Sequence, residues 1–102
     1  MTKKEILSLS DKEQIQLLNT ASQELLDILS HSSSLDVVRS VARHMYTSAE
    51  TLRRMYYEDN RLNYRYLTLK NPNAPEDILL HHKAERFYLL KPHLELAHWH
   101  SH

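Results

Sequence analysis

The chain has 102 residues, enough for a single domain. It contains no cysteine and no glycine, which excludes disulfides, Cys-ligated zinc or iron–sulfur clusters, a Cys nucleophile and the glycine-built phosphate loops and nucleophile elbows. Lys+Arg 13 balances Asp+Glu 13, so bulk charge favours no polyanionic partner, while 41% apolar residues suffice for a packed core.

Tight hairpins lose their best residue when glycine is absent, so an all-α chain is expected. No apolar run approaches the roughly 18–20 residues of a membrane span. The opening MTKKEILSLS lacks the apolar centre of a secretory signal. A cytoplasmic protein with no membrane contact is the expectation.

Along the chain, Thr2 with Glu5, Ser10 with Glu13 and Thr47 with Glu50 have capping-box spacing, and Ser33 with Asp36 is a weaker version. Helices are predicted near 11–19, 22–30, 35–45, 48–58, 61–70, 75–83 and 84–91, with a less regular piece from Pro92. Leu25, Leu26 and Leu29 form one apolar stripe. Leu35, Val38, Val41, Ala42 and Met45 form the next, then Ala49, Leu52, Met55 and Tyr56. Tyr64-Arg65-Tyr66-Leu67-Thr68-Leu69 is the one segment with strand-like alternation, but it lies inside a predicted helix. Pro75 suits a first helical position, and Asn71-Pro72-Asn73-Ala74-Pro75 reads as a rigid turn.

The chain repeats itself. Val38-Arg39-Ser40-Val41-Ala42-Arg43 and the following Thr47-Ser48-Ala49-Glu50-Thr51-Leu52 align with Tyr64-Arg65-Tyr66-Leu67-Thr68-Leu69 and Ala74-Pro75-Glu76-Asp77-Ile78-Leu79. Arg39 meets Arg65, Glu50 meets Asp77 and Leu52 meets Leu79. A partial earlier copy pairs Ser22-Gln23-Glu24-Leu25-Leu26 with Ser48-Ala49-Glu50-Thr51-Leu52. Each unit is a helix, a short polar turn and a second helix, which cannot bury its apolar stripe alone.

These units resemble the leucine-rich repeat variant family, whose unit reads V-R-x-x-V-A-x-N-P-x-x-P-x-E-x-L. Val38 to His44 followed by Thr47 to Leu52 is one such copy, and Asn71-Pro72-Asn73-Ala74-Pro75-Glu76-Asp77-Ile78-Leu79 is a better match to the turn and second helix. The resemblance implies a short right-handed solenoid of about three stacked helix pairs, of the HEAT and armadillo kind. It divides the single domain into an N-terminal capping repeat at 1–34, repeats at 35–60 and 61–83, and a C-terminal cap with a His-rich tail at 84–102. The family's units are shorter, with a very short first helix, so in these longer copies both helices are expected to be fully α-helical. The cysteine-ligated iron–sulfur cluster that relatives of this type can carry does not transfer to a chain without cysteine.

The middle of the chain concentrates arginine and tyrosine. Arg39, Arg43, Arg53, Arg54, Arg61, Arg65 and Lys70 outnumber Asp36, Glu50, Glu58 and Asp59 there, and five of the six tyrosines share the stretch. Such residues suit a protein contact surface or a clamp on phosphates and bases. They equally suit a core filled by tyrosines and an outer face solvated by arginines. Arg39 and Arg65 recur at matching positions and are read as structural, paired with carboxylates such as Asp36 or Glu58. The partner-binding candidates are Arg53, Arg54, Tyr56, Tyr57, Arg61 and Tyr64.

Histidine crowds the end of the chain, with His81 and His82 on a predicted helix and His93, His98, His100 and His102 beyond it. Alternate spacing in HWHSH puts three rings on one side of an extended chain, and an adventitious site is expected before a specific metal centre. No metal or other cofactor is assigned. Ser30-His31-Ser32, Glu58-Asp59 and Glu76-Asp77 do not compose a catalytic constellation, so no enzyme is predicted. The function expected is a non-catalytic adaptor, inhibitor or assembly subunit that binds a protein through the Arg/Tyr surface. Nucleic-acid binding by the same basic stretch is the alternative. The Phe87-Tyr88-Leu89-Leu90 run is the expected place for homodimer contact.

Overall fold

The structure, a computed structural model, describes residues 1–58 and 62–86. Every regular element among them is helical. Helix α1 is Lys3–Leu7, α2 is Asp11–Leu17 with a 3-10 turn at Leu18–Thr20, and α3 is Gln23–Leu29. Helix α4 is Leu35–Arg43, α5 is Ala49–Glu58 and α6 is Leu62–Lys70. Helix α7 begins at 76 and is described to 86. No helix among the described residues is long and apolar enough to cross a membrane.

Serine starts most of these helices, because its hydroxyl satisfies an amide that the first turn leaves without a partner. Ser10 and Glu13 make the full capping box, while Thr2, Ser22, Ser34 and Ser48 each accept from the amide three residues on. Two predicted caps shift by one residue. Ser34 replaces Ser33, and Ser48 replaces Thr47. Thr47 is fully buried and donates to the Val41 carbonyl at 2.6 Å, so tertiary packing claims its hydroxyl. The short helix α1 was absent from the predicted set, although Thr2 and Glu5 signalled its start. The predicted break between 83 and 84 is absent too. No proline interrupts that stretch, and α7 runs through it.

Helix α4 is the centre of the core. Val37, Val38, Val41 and Ala42 are buried together, and α4 packs on α2, α3 and α6. Ile6, Leu18, Leu26, Leu29, Met55 and Tyr64 complete the cluster around it. Burying each such valine or leucine contributes about 1.5–3 kcal/mol before entropy is counted. Leu35 and Met45, predicted in the α4 stripe, are exposed. Met45 lies past the helix end at Arg43, so helical spacing no longer governs it, and Leu35 stands in the first turn outside the packed interface.

Side chains in the turns bind the elements in register. Asn71, just after α6, donates through Nδ2 to the carbonyls of Ala42 at 2.8 Å and His44 at 2.9 Å. Its Oδ1 accepts from the Asn73 amide, and Asn73 Nδ2 donates to the Met45 and Thr47 carbonyls. One turn earlier, His44 Nε2 lies 2.9 Å from the Leu18 carbonyl. Backbone groups of a loop that helices cannot satisfy are therefore satisfied by the next loop. The C-terminal ends of α4 and α6 are held side by side by these bonds.

Candidate functional site

The sequence directs attention to α5, whose faces are sharply divided. Thr51, Leu52, Met55 and Tyr56 are buried, Arg54 is half-buried, and Arg53 and Tyr57 are exposed. Helices α3 and α7 supply the side chains on either side.

Arg54 reaches toward α3. Its Nη2 donates to Asp27 Oδ1 at 2.8 Å and to the Ser30 hydroxyl, and its Nη1 lies 3.5 Å from Glu58. Thr51 Oγ1 donates to the same Asp27 oxygen at 2.9 Å. Burial by itself would raise the Asp27 carboxyl. The hydrogen bonds from Arg54 and Thr51, with the Arg54 charge, outweigh that and hold it below the usual carboxylate range. Gln23, Glu24, Ser48 and Glu50 complete the rim of this open polar groove.

Arg53 reaches the other way, toward α7. Its guanidinium forks onto Asp77, with Nε at 3.0 and 3.1 Å from the two oxygens and Nη2 at 3.0 Å. That hydrogen bonding lowers the Asp77 carboxyl and raises the Arg53 guanidinium. One turn along, Tyr57 meets His81 edge-on at 5.2 Å between centroids. Beneath them, Tyr56 is fully buried, and its hydroxyl lies 2.9 Å from His81 Nδ1. Desolvation raises the Tyr56 hydroxyl. Arg65 lies over the Tyr56 ring at 4.4 Å, donates to the Tyr56 carbonyl and pairs with Glu85 at 3.1 and 3.3 Å.

The six predicted partner contacts therefore separate. Tyr57 is exposed, and Arg53 is exposed but already paired with Asp77. Arg54 is engaged by Asp27, Ser30 and Glu58. Tyr56 and Tyr64 are buried at 0% and 4% exposure and belong to the core, because each falls on the inward stripe of its helix. Arg61 lies outside the described residues, as do the His93–His102 tail and the Phe87–Leu90 run. Arg65 is structural as predicted, but its carboxylate is Glu85, across the α6/α7 interface. Arg39 makes no hydrogen bond or ion pair among the described residues, contrary to the expected pairing with Asp36. Asp27, Asp77, His81 and Glu85 were missed; the three acids meet Arg54, Arg53 and Arg65 across 27, 24 and 20 residues, a spread that local spacing does not single out. Among the described residues no three His, Asp or Glu side chains cluster to hold a metal ion.

No family model, no curated protein and no solved structure matches this chain.

The depressed Asp27 carboxyl has a pH consequence. A group whose folded pKa lies below its unfolded value of about 3.9 stabilises the fold above that pH, and the gain is lost as pH falls through the folded pKa. Asp27→Asn removes the titrating group. Urea melts of the variant are expected to lose part of the wild-type stability at neutral pH, with a smaller further drop between about pH 5 and pH 2. Equal acid sensitivity in both proteins would assign the effect to Asp77 and other carboxylates.

Proposed function

We propose that this chain is a short right-handed solenoid of about three stacked helix pairs that binds a protein partner without catalysing a reaction, in the cytoplasm. The observation that carries the reading is the repeated spacing of its interlocks. Leu18 with His44 and His44 with Asn71 join successive first-helix ends. Asp27 with Thr51 and Arg54, Arg53 with Asp77, and Tyr56 with His81 join successive second helices. All span 24–27 residues in sequence, the length of one resembling unit, and side-by-side helices in constant register are how such units bury their stripes.

The surface that fits a partner best is the α5/α7 edge. Tyr57 and the Arg53–Asp77 pair lie there, and Leu80 of α7 is exposed. A half-exposed aromatic beside a mixed-charge fork has the composition of a protein contact. Arg53, Arg54 and Arg65 are each neutralised by a carboxylate, which counts against a phosphate-tracking role for this stretch.

Affinity capture with the whole chain, with and without nuclease, tests the reading. One stoichiometric protein should survive nuclease, and Tyr57→Ala should lose it while the thermal melt stays within about 1 kcal/mol of wild type. Capture abolished by nuclease would overturn it.

A further inference from the structure

The first helices expose a second face, away from the α5/α7 edge. On α4, Arg39 is half-buried and Arg43 exposed one turn further on. Neither makes a hydrogen bond or an ion pair with any described residue, whereas Arg53, Arg54 and Arg65 in the same stretch are all engaged. Arg43 and Lys70 stand in the last turns of α4 and α6, where a cation also complements the helix dipole. Arg39 has no such explanation, and two arginines at i and i+4 repel.

Helices α4 and α6 pack directly, and the Asn71 bonds level their C-terminal ends. Arg43 and Lys70 therefore lie at the same height on neighbouring helices, about 8–10 Å apart at the axes. Lys70 covers one side of the Tyr66 ring, with its ammonium 4.5 Å from the centroid. Leu35, in the first turn of α4, and Met45, two residues past its end, are 43% and 65% exposed. Arg39 and Arg43 thus lie along the chain between two exposed apolar side chains.

We propose that this α4/α6 face docks an extended acidic segment of a partner protein, with carboxylates at alternate positions and apolar residues beside them. Arg39 and Arg43 are separated by about 6 Å along the helix, and alternate residues of an extended chain repeat at about 6.6 Å. Two successive same-side carboxylates then each meet one guanidinium, where charge-assisted forks form. Lys70 takes a third from the neighbouring helix, and Leu35 and Met45 receive the apolar positions. A nucleic acid fits less well. Asp36, exposed on the same helix, opposes either anion, but so few cations suit a short acidic segment better than a phosphate chain, and Lys70 already covers one face of the Tyr66 ring.

The test is fluorescence anisotropy with the full chain and a labelled peptide of alternating glutamate and leucine. A lysine-for-glutamate peptide and a single-stranded oligothymidine serve as competing probes. At about 50 mM salt the glutamate peptide should bind, and the Arg39→Gln/Arg43→Gln double variant should weaken it at least tenfold, about 1.4 kcal/mol. Arg53→Gln should leave it unchanged. The double variant should still fold, with a melt within about 1 kcal/mol of wild type, since neither arginine bonds within the fold and only the dipole contribution of Arg43 is lost. Absence of binding, or equal weakening by Arg53→Gln, would overturn the proposal. Binding of the oligothymidine alone, lost in the double variant, would overturn it in favour of nucleic acid. The docking edge at Tyr57 is a separate surface, so either outcome leaves that reading to its own capture experiment.

Discussion

Asn71→Ala is expected to destabilise the protein by about 2–4 kcal/mol, read as a thermal midpoint lowered by roughly 10–20 °C. Asn71 is 5% exposed, and its amide donates to two carbonyls of the preceding loop while accepting from Asn73. Alanine leaves the Ala42 carbonyl with no donor and the His44 carbonyl with only the Thr47 amide, in a place water reaches poorly, and a buried polar group left unmade costs more than a hydrogen bond returns. Asn71→Asp should be worse at neutral pH, because a carboxylate would face the same two oxygens. Acid that protonates it should recover part of the loss. Asn73→Ala is the control, since Asn73 is exposed although it also bridges to the earlier loop. Its cost should be about 1 kcal/mol. An Asn71→Ala protein that melts within about 0.5 kcal/mol of wild type would show that the interlocking turns do not hold the helix pairs together.

Tyr56→Ala should cost about 3–5 kcal/mol, whereas Tyr57→Ala should cost less than about 1 kcal/mol. The two neighbours differ by one position on a helix, which turns the side chains about 100° apart. Tyr56 points into the α5/α6/α7 interface with 0% exposure, against the Arg65 guanidinium and the His81 ring. Tyr57 is 49% exposed. Tyr56→Phe isolates the hydroxyl and its contact with His81 Nδ1, and should cost about 1 kcal/mol. Urea melts of the three variants read these differences directly. Equal losses for Tyr56→Ala and Tyr57→Ala would place both rings in the core and remove the aromatic anchor from the proposed edge.

Local signals made most of the helices legible. The all-α class follows from missing glycine and from apolar stripes at helical period. Cap hydroxyls and the Asn71-Pro72-Asn73 turn act over a few residues, so Ser10, Ser22 and the loop after α6 could be read directly. Where two hydroxyls stood side by side, as at Thr47-Ser48, local chemistry could not choose. The burial of Thr47 against the Val41 carbonyl decided it.

The candidate site was legible as a composition and not as a surface. Arginine and tyrosine crowd residues 36–70 in the sequence, but nothing local says which of them face outward. That was decided by partners 20–27 residues away. Asp27 and Asp77 claim Arg54 and Arg53, Glu85 claims Arg65, and packing takes Tyr56 and Tyr64 inside. Arg39 and Arg43 remain as the cations without partners on α4. The sequence by itself determined the helical class, most of the helix starts and the turn after α6, because those depend on neighbours within a turn or two. The tertiary structure alone decided which charges are satisfied and which rings are covered, because ion pairing and burial depend on which helices come to lie side by side.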